Sequence, residues 1–526
     1  MKRRTHQPLK ADFLFDILIV GGGITGTGVL LEAGKKGYNT VLIEKGDFAS
    51  GTSSKSGKLA HGGLRYLQYG HFGLVREALK ERDYLLNTYP HLVKPLKFLY
   101  PIYRSKLKFQ FFLGLCVYQS LNIFSDLPGF KYFNRGKTLI KFPSLNKKKL
   151  KGSFMYFDAV TNDARLCSEI IHESINTHST TALNYFELIS FEKHEDKIKV
   201  MCFDHIEGKA VNITAKYMIN ASGPWLDELS QKIFSSTSRF TAPSKGTHIV
   251  LSRNTFPFDC SLLFSAKAND NRWLYSVPWE NNTVLIGATD TDYSDQIDKA
   301  KVDIADDEYI LNAINHIVPA LNISRDDIIS SFSGIRPLLR HEKISSKDRS
   351  REYKIWWTND QVLNVFGGKL TGFRSMGEKS MNMIAKKCPI DSRPIQEKDH
   401  ILNDIDFNEL PEDFVKLIKE KYANESPKIF KICLEDPTAM DKLHNEFDIY
   451  LAEIIYFARH QSCYHIEDVL GRRLSLSYVM TKVKEQEEIV KKTADILKIE
   501  CGWNEQEYVL EQKNYINLIK ERNLYL

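Results

Sequence analysis

Two short apolar runs near the amino terminus, residues 17–20 and 40–43, have the length and β-branched content that predict buried strands. Between them lie Gly21, Gly23 and Gly26, followed by a stretch through residue 36 that is compatible with a helix. Glu44 ends the second run. A strand, a glycine turn, a helix, a second strand and a carboxylate, in that order, form the context in which G-x-G-x-x-G predicts a dinucleotide site.

Each part of this segment has a physical reason to contact a dinucleotide. Gly21 permits the tight turn, Gly23 lets the backbone approach a pyrophosphate, and Gly26 lets helix and strand pack closely. The helix N-terminus favours the negative charge of the phosphates. Glu44, about 20 residues downstream, suits a ribose hydroxyl and would repel a 2′-phosphate. The cofactor predicted from these residues is NAD or FAD.

Three later segments favour FAD. Residues 45–67 form a long run of small and hydroxylic residues that can follow an extended ligand, where an NAD-binding domain would normally continue into another βα unit. Residues 217–225 and 362–372 are apolar strands that end in small residues or glycines. Together the three segments predict one long cofactor lying over a discontinuous domain.

A set of short motifs is more specific than the dinucleotide fingerprint. They are T-S-S at 52–54, K-L-A-H-G-G-L-R-Y-L at 58–67, D-A-R-L at 163–166, A-S-G-P-W at 221–225, K-G-T-H-I-V at 245–250, S-G-I-R-P at 333–337 and F-G-G-K-L-T at 366–371. With the glycine motif, they resemble the FAD-dependent, NAD-independent glycerol-3-phosphate dehydrogenases, within the D-amino-acid-oxidase-like flavoproteins. The resemblance runs in the family's order from residue 16 to the C-terminus.

The predicted fold class is α/β: an FAD-binding Rossmann-like domain with an inserted α+β substrate domain and a C-terminal helical domain. Alternation at residues 248–251 and 283–287 predicts a sheet in the substrate domain, and helical periodicity appears at 449–458 and 485–497. The predicted boundaries are 13–75, 150–240 and 335–395 for the FAD-binding domain, 76–149 and 241–334 for the substrate domain, 391–399 for a polar linker, and 400–526 for the helical domain.

Composition narrows the classes of function. The 526 residues are enough for two or three domains, and the formal net charge of +6 suits anionic substrates and anionic membrane surfaces. No nucleic-acid partner is predicted, because no recognition motif accompanies the basic residues. The eight cysteines are dispersed, without Cys-x-x-Cys or a nearby histidine array, so neither a metal site nor a disulfide framework is predicted. This pattern is typical of a reducing cytoplasm.

One aromatic-rich stretch, residues 109–124, is a candidate for contact with a membrane surface. No signal peptide and no spanning helix are predicted, since no segment reaches about 18 uninterrupted apolar residues. The stretch is flanked by cationic side chains, namely Arg104, Lys106, Lys108, Lys131, Arg135 and Lys137. It therefore predicts either a helix at the membrane interface or a buried core helix. The expected location is the cytoplasm, with peripheral association at the inner face of the cell membrane.

The resemblance implies an activity: oxidation of sn-glycerol 3-phosphate to dihydroxyacetone phosphate by hydride transfer to FAD, with electrons passed to a membrane quinone. His248 is the expected base for the hydroxyl proton, because an imidazole suits that work near neutral pH. Arg336 is expected to act beside it on the phosphate, because the planar arginine fork matches phosphate oxygens. A homodimer is an assembly that the sequence leaves open.

The resemblance also implies two sets of binding residues. The expected substrate-binding residues are Arg65, Tyr66, Arg336, Arg351, Lys369 and Thr371. The expected cofactor-binding residues are Gly21, Gly23, Gly26, Glu44, Thr52, Ser53, Ser54, Lys58, Leu59, His61, Leu188, Ala221, Gly223, Gly367, Gly368, Lys369, Leu370 and Thr371. Of these, Leu188 follows from the family's topology alone, as a contact of the adenine.

Three other functions compete with this interpretation. A glycerol-3-phosphate oxidase would use the same residues and pass electrons to oxygen, without needing the stretch at 109–124. An amine or amino-acid oxidase would need one arginine for a carboxylate and an apolar amine pocket, whereas the cations here suit phosphate. A non-catalytic flavin-binding scaffold would not need competent residues at every reactive position.

Overall fold

The structure, a computed structural model, describes residues 13–123, 125–178, 180–235, 238–267, 270–340, 353–389, 407, 409–480 and 485–522. Its strands are β1 (Leu14–Val20), β2 (Thr40–Ile43), β3 (Leu59–Ala60), β4 (Val93–Ile102), β5 (Lys131–Asn134), β6 (Gly152–Thr161), β7 (Thr180–Leu183), β8 (Phe186–Lys193), β9 (Ile198–Asp204), β10 (Lys209–Asn220), β11 (Ser244–Ser252), β12 (Ser261–Lys267), β13 (Asp270–Trp279), β14 (Thr283–Gly287), β15 (Thr291–Asp292), β16 (Ser330–Arg336), β17 (Tyr353–Trp357) and β18 (Val362–Gly367). Its α-helices are α1 (Ile24–Lys35), α2 (Phe72–Thr88), α3 (Ser105–Ser120), α4 (Arg135–Lys141), α5 (Asp163–Thr177), α6 (Leu226–Phe234), α7 (Ile304–Ile317), α8 (Phe373–Ala385), α9 (Glu412–Tyr422), α10 (Ser426–Glu435), α11 (Leu451–His460), α12 (Gln486–Cys501) and α13 (Glu505–Arg522).

The first sheet has the strand order β17-β18-β10-β1-β2-β7, and β9 joins β8 to β10. Its central strands are parallel, with Val20 of β1 opposite Ile43 of β2 and Asn220 of β10. The apolar residues of β1 are buried on both faces, as expected for a central parallel strand. Because the carboxyl ends of parallel strands lie at one edge, the segments after β1, β2, β10 and β18 meet there. Segments that are far apart in the sequence thus lie side by side in this sheet, whereas the predicted domain boundaries stay a prediction.

The turn from β1 to α1 requires glycine at two positions. Gly21 has a φ of +114°, a region that side chains other than glycine rarely adopt. A Cβ atom at Gly26 would lie 1.9 Å from the carbonyl oxygen of Gly21, so only glycine allows this close approach. Both residues thus act on the backbone as predicted.

The second sheet has the order β15-β11-β14-β13-β12-β4-β6-β3, with β16 paired to β11 and β5 paired to β6. β6 pairs along its whole length with β4, from Thr161 opposite Val93 to Gly152 opposite Ile102. Strands β3 and β6 therefore belong to this sheet, although the predicted boundaries assign their residues to the FAD-binding domain. Short-range alternation does not reveal this, because either sheet could have accepted these strands.

Helices α9–α13 bury an apolar core of their own. Ile418, Phe430, Ala452, Leu470 and Leu497 are almost completely inaccessible to solvent within it. The predicted helical segments at 449–458 and 485–497 correspond to α11 and α12, whereas the predicted linker at 391–399 lies outside the described residues. Across the part of the chain that the structure describes, no helix is both long enough and apolar enough to cross a bilayer.

Candidate active site

One cavity of about 1740 Å³, the central cavity, is lined by residues of both sheets and of α3. Small-molecule sites usually measure roughly 300–1,000 Å³, so this volume allows a dinucleotide and a second ligand together. Most residues predicted for the site line it, namely Gly21, Gly23, Glu44, Thr52, Ser53, Leu59, His61, Arg65, Tyr66, Leu188, Ala221, Gly223, His248, Arg336, Gly367, Gly368, Lys369 and Leu370.

One end of the central cavity is formed by the carboxyl edge of the first sheet. The Ser53 hydroxyl accepts a hydrogen bond from the backbone N–H of Ile24 at 2.9 Å, which joins the hydroxylic loop to the start of α1. Gly23 is the N-cap of α1 and has no side chain of its own to cap the helix, and Ser53 satisfies the first N–H group. A helix N-terminus beside hydroxyl groups is suited to a pyrophosphate.

Glu44 lies in the wall at the same end. Its carboxylate accepts hydrogen bonds from the backbone N–H groups of Gly22 at 2.7 Å and Gly46 at 2.9 Å. Burial raises the pKa of Glu44, and these two hydrogen bonds act in the opposite direction. A carboxylate has acceptor sites for more than two donors, so Glu44 can also accept a ribose hydroxyl.

A further part of the cavity wall is formed by the turn after β18. Gly367 and Gly368 both have positive φ values, and a short 3₁₀ turn, Leu370–Gly372, leads into α8. The Lys369 ammonium lies 3.6 Å from the centre of the Tyr66 ring. The cavity thus offers a helix N-terminus for phosphates, a carboxylate for a ribose, and a cation near a glycine turn. These groups match the separate parts of FAD, namely its phosphates, its ribose and its flavin.

Some predicted residues lie differently. Gly26 packs against backbone, as described above, and Ser54, Lys58 and Thr371 are buried without lining the central cavity. The Lys58 ammonium points inward and donates to Asp163 and to the carbonyl oxygen of Ser54, both at 2.6 Å. Its partner is thus a buried carboxylate, not a cofactor phosphate. Arg351 lies outside the described residues.

His248 lies on β11, between β14 and β16, and faces the central cavity. Its ring stacks on Phe332 with centroids 5.0 Å apart and planes 14° apart. Neither ring nitrogen has a hydrogen-bond partner among the described residues. Burial, with the nearby cations Arg336 and Lys58, lowers the pKa of His248 to about 3. This value lies well below the near-neutral pKa expected from the sequence. The imidazole is therefore neutral near pH 7, but it is a weak base unless a bound anion raises its pKa.

Arg336 ends β16 beside His248. Its guanidinium donates to the Asp290 carboxylate at 3.2 Å and to the carbonyl oxygen of Thr289 at 2.9 Å. It crosses Gly246, where a Cβ atom would lie 2.2 Å from a terminal nitrogen of the guanidinium. The arginine is thus held in the wall by an acid that the sequence analysis missed. The signal for Asp290 was weak, since it follows a strand end without a recognisable motif.

Arg65 supplies a further cation to the wall. Its side chain is half-buried, lines the central cavity, and makes no ion pair or hydrogen bond with another residue that the structure describes. Arg272 and Tyr275, which were not predicted for the site, also line the cavity, and the Tyr275 ring centroid lies 6.3 Å from that of His248. A wall with several cations and one neutral imidazole is suited to an anionic substrate that loses a proton.

Comparison with known proteins identifies the class. The family described as FAD dependent oxidoreductase matches residues 16–374, and the C-terminal domain of alpha-glycerophosphate oxidase matches residues 368–508. The chain belongs to the FAD-dependent oxidoreductase family, and its cofactor is FAD. The fit of the central cavity and the predicted fold class agree with this assignment.

Particular relatives narrow the family. The aerobic glycerol-3-phosphate dehydrogenase of Staphylococcus epidermidis is 31% identical over 494 residues, covering 89% of this chain and 88% of that protein. The enzyme of that name from Staphylococcus aureus is 30% identical over 538 residues, covering 96% and 95%. The glycerol-3-phosphate dehydrogenase from Bacillus halodurans, solved with FAD, has a TM-score of 0.77 at 26% identity and covers 98% and 97%. The predicted resemblance to this family is confirmed.

The cofactor is expected to be bound without a covalent link. Acid precipitation of the purified yellow protein should release FAD into the supernatant, because the residues predicted to hold it act through hydrogen bonds, charge and packing. The measurement is chromatography of the released flavin. Flavin that stays in the denatured pellet would contradict this expectation.

Proposed function

We propose that the protein oxidises sn-glycerol 3-phosphate to dihydroxyacetone phosphate and passes the electrons to a membrane quinone. The observation that carries the proposal is that Arg336 and a neutral His248 lie side by side in the wall of the cavity that also fits FAD, and Arg65 lines the same cavity. Relatives named glycerol-3-phosphate dehydrogenase over nearly the whole chain support the substrate.

FAD, when bound, supplies the hydride acceptor. The residues of the chain bind the phosphate and remove the proton. Arg65 and Arg336 match phosphate oxygens through their planar guanidinium groups. A ring nitrogen of His248 takes the hydroxyl proton, and the dianionic phosphate beside Arg336 offsets the cationic field that disfavours the resulting imidazolium. Arg351 stays a prediction for the same substrate.

The shape of the central cavity supports an apolar electron acceptor. Its lining includes an aromatic and aliphatic group, Tyr100, Leu107, Phe111 and Trp273, in which the Tyr100 ring contacts the rings of Phe111 and Trp273. This region leads to α3, which is the helix within the stretch predicted for the membrane interface. An apolar acceptor such as a quinone could therefore reach the cofactor from the side of α3.

Helix α3 has two different faces. Leu115 is buried, and Phe111 stacks on Tyr100 with centroids 4.1 Å apart, so these residues belong to the core. The opposite face exposes Phe109 (65%), Phe112 (43%) and Leu113 (47%). Lys106, Lys108, Lys131, Arg135 and Lys137 are exposed nearby in the chain, and Phe124 lies outside the described residues. We propose that this outer face binds the inner face of the cell membrane.

A variant tests this attachment. Replacing Phe109, Phe112 and Ile123, which are all exposed, with serine should move the protein from sedimenting anionic vesicles to the supernatant, because apolar burial contributes about 25 cal/mol per Å². Leu113 is left unchanged because it also lines the central cavity. High salt should release the wild type only partly, since salt screens the lysines and leaves apolar burial intact. Turnover with a soluble acceptor should be retained.

The matched control replaces three exposed apolar residues of the helical domain, Ile499, Val509 and Leu510, with serine. That variant should sediment with vesicles like the wild type. Equal release of both variants would contradict a specific role of α3.

The electron acceptor is tested with FAD-loaded protein and sn-glycerol 3-phosphate. Reduction of a quinone analogue should proceed much faster than formation of hydrogen peroxide from oxygen. The reverse ratio would favour the oxidase alternative, which uses the same substrate. The fold of the Mycoplasma pneumoniae L-alpha-glycerophosphate oxidase is similar (TM-score 0.59, 16% identity), so fold alone does not separate the two functions.

A further inference from the structure

A segment of the helical domain reaches the interior between the two sheets. The π-helical turn Asp468–Arg473 and the 3₁₀ turn Leu476–Tyr478 form it. Arg473 donates two hydrogen bonds to the carboxylate of Asp47, at 2.8 and 3.0 Å. Asp47 follows the ribose-binding position Glu44 by three residues. This buried ion pair fixes the segment to the loop that begins at the cofactor.

Tyr478, in the 3₁₀ turn, contacts both the hydroxylic loop and β16. Its hydroxyl donates to the carbonyl oxygen of Ser54 at 3.2 Å, the same oxygen that accepts from the Lys58 ammonium. Its own carbonyl oxygen accepts a hydrogen bond from the Ser330 hydroxyl at 2.7 Å. Tyr478 therefore ties the hydroxylic loop at residues 52–58 to the first residue of β16.

The ring of Tyr478 also supports His248 indirectly, through Phe332. It meets Phe332 edge-on with centroids 5.1 Å apart, and Phe332 is the ring on which His248 stacks. His248 and Phe332 are directly opposite each other in the pairing of β11 with β16. Because the imidazole has no hydrogen-bond partner among the described residues, packing alone sets its orientation. Phe332 provides that packing, and Tyr478 holds Phe332.

We infer that Tyr478 is a positioning residue for both halves of the active site. Through Ser54 it holds the loop that lines the cofactor path, and through Phe332 it orients His248. The helical domain thus completes the active site, although none of its residues lines the central cavity among those that the structure describes. The inference about His248 rests on the proposed function. The inference about the loop depends only on FAD being the cofactor.

The experiment compares three variants with the wild type as FAD-loaded protein and after removal of FAD. In Tyr478→Phe the ring stays and one hydrogen bond is lost, so the Kd for FAD should rise about 2- to 10-fold with kcat per bound flavin unchanged. In Tyr478→Leu the ring that packs against Phe332 is also lost. Its kcat should fall about 10- to 100-fold while KM stays within about 2-fold, because a misplaced base affects the reaction step more than binding.

The matched control is Phe430→Leu, a substitution of a buried aromatic residue in the core of the helical domain. It should lower the Tm but change neither the Kd for FAD nor the absorbance spectrum of the bound flavin. Phe332→Leu should reproduce the kcat loss of Tyr478→Leu while keeping the hydrogen bond to Ser54. If Tyr478→Phe and Phe332→Leu both behave like Phe430→Leu, the inference is wrong. Wild-type protein whose flavin is not reduced by sn-glycerol 3-phosphate would instead refute the proposed function, and the FAD titrations would still decide the cofactor part.

Discussion

Replacing His248 with asparagine should lower kcat with sn-glycerol 3-phosphate by about 10²- to 10⁴-fold, the usual contribution of a general base. The reason is that His248 is the proposed base and is neutral, because burial and the nearby cations Arg336 and Lys58 lower its pKa to about 3. Asparagine keeps polarity and similar bulk but cannot accept the proton. The measurement is steady-state turnover with a soluble acceptor, normalised to bound FAD.

A matched control separates this effect from a loss of structure. His460 of α11 is a half-buried histidine, and desolvation lowers its pKa to about 4. His460→Asn should leave kcat per bound flavin unchanged, since α11 lies in the helical domain. A His248→Asn variant that keeps the wild-type kcat would show that this histidine only packs against Phe332.

Arg336→Ala should lower kcat/KM for sn-glycerol 3-phosphate by about 30- to 4,000-fold, which corresponds to about 2–5 kcal/mol for a truncated charge partner. Part of that loss comes from Asp290, whose carboxylate loses its ion pair. Glycerol, which lacks the phosphate, distinguishes the two contributions. The preference for the phosphorylated substrate over glycerol should collapse if Arg336 binds the phosphate.

Two further variants sharpen this test. Arg374 pairs with Glu81 at 2.6 Å, is exposed to a similar extent as Arg336, and does not line the central cavity. Arg374→Ala should therefore leave the substrate preference unchanged. Gly246→Ala should weaken the preference without removing any charge, because the added methyl group would displace the Arg336 guanidinium. An Arg336→Ala variant with an unaltered preference would remove this arginine from the phosphate site.

The parts of the site that depend on local sequence could be predicted. Gly21, Gly26 and Glu44 act through a turn, a close backbone approach and a strand end that lie within one contiguous segment. The motifs predicted that His248 and Arg336 share a site, and the pairing of β11 with β16 does bring them close together, whereas their roles stay predictions.

Properties set by distant partners could not be predicted. Lys58 belongs to a motif of the site, yet Asp163, about a hundred residues away, turns its side chain inward. Helix α3 has apolar residues on both faces. Its periodicity therefore cannot predict that Phe111 packs inward while Phe109 is exposed. Tyr478 has no sequence signal, because its role depends on how the helical domain packs against β16.

The central claim is that the bound flavin is reduced by sn-glycerol 3-phosphate. The most direct measurement is anaerobic mixing of the FAD-loaded protein with sn-glycerol 3-phosphate, glycerol or glycine, followed by the visible absorbance of the flavin. We expect rapid bleaching with sn-glycerol 3-phosphate, little with glycerol and none with glycine. Bleaching by glycine or another amine, with no response to sn-glycerol 3-phosphate, would contradict it and favour an amine or amino-acid oxidase.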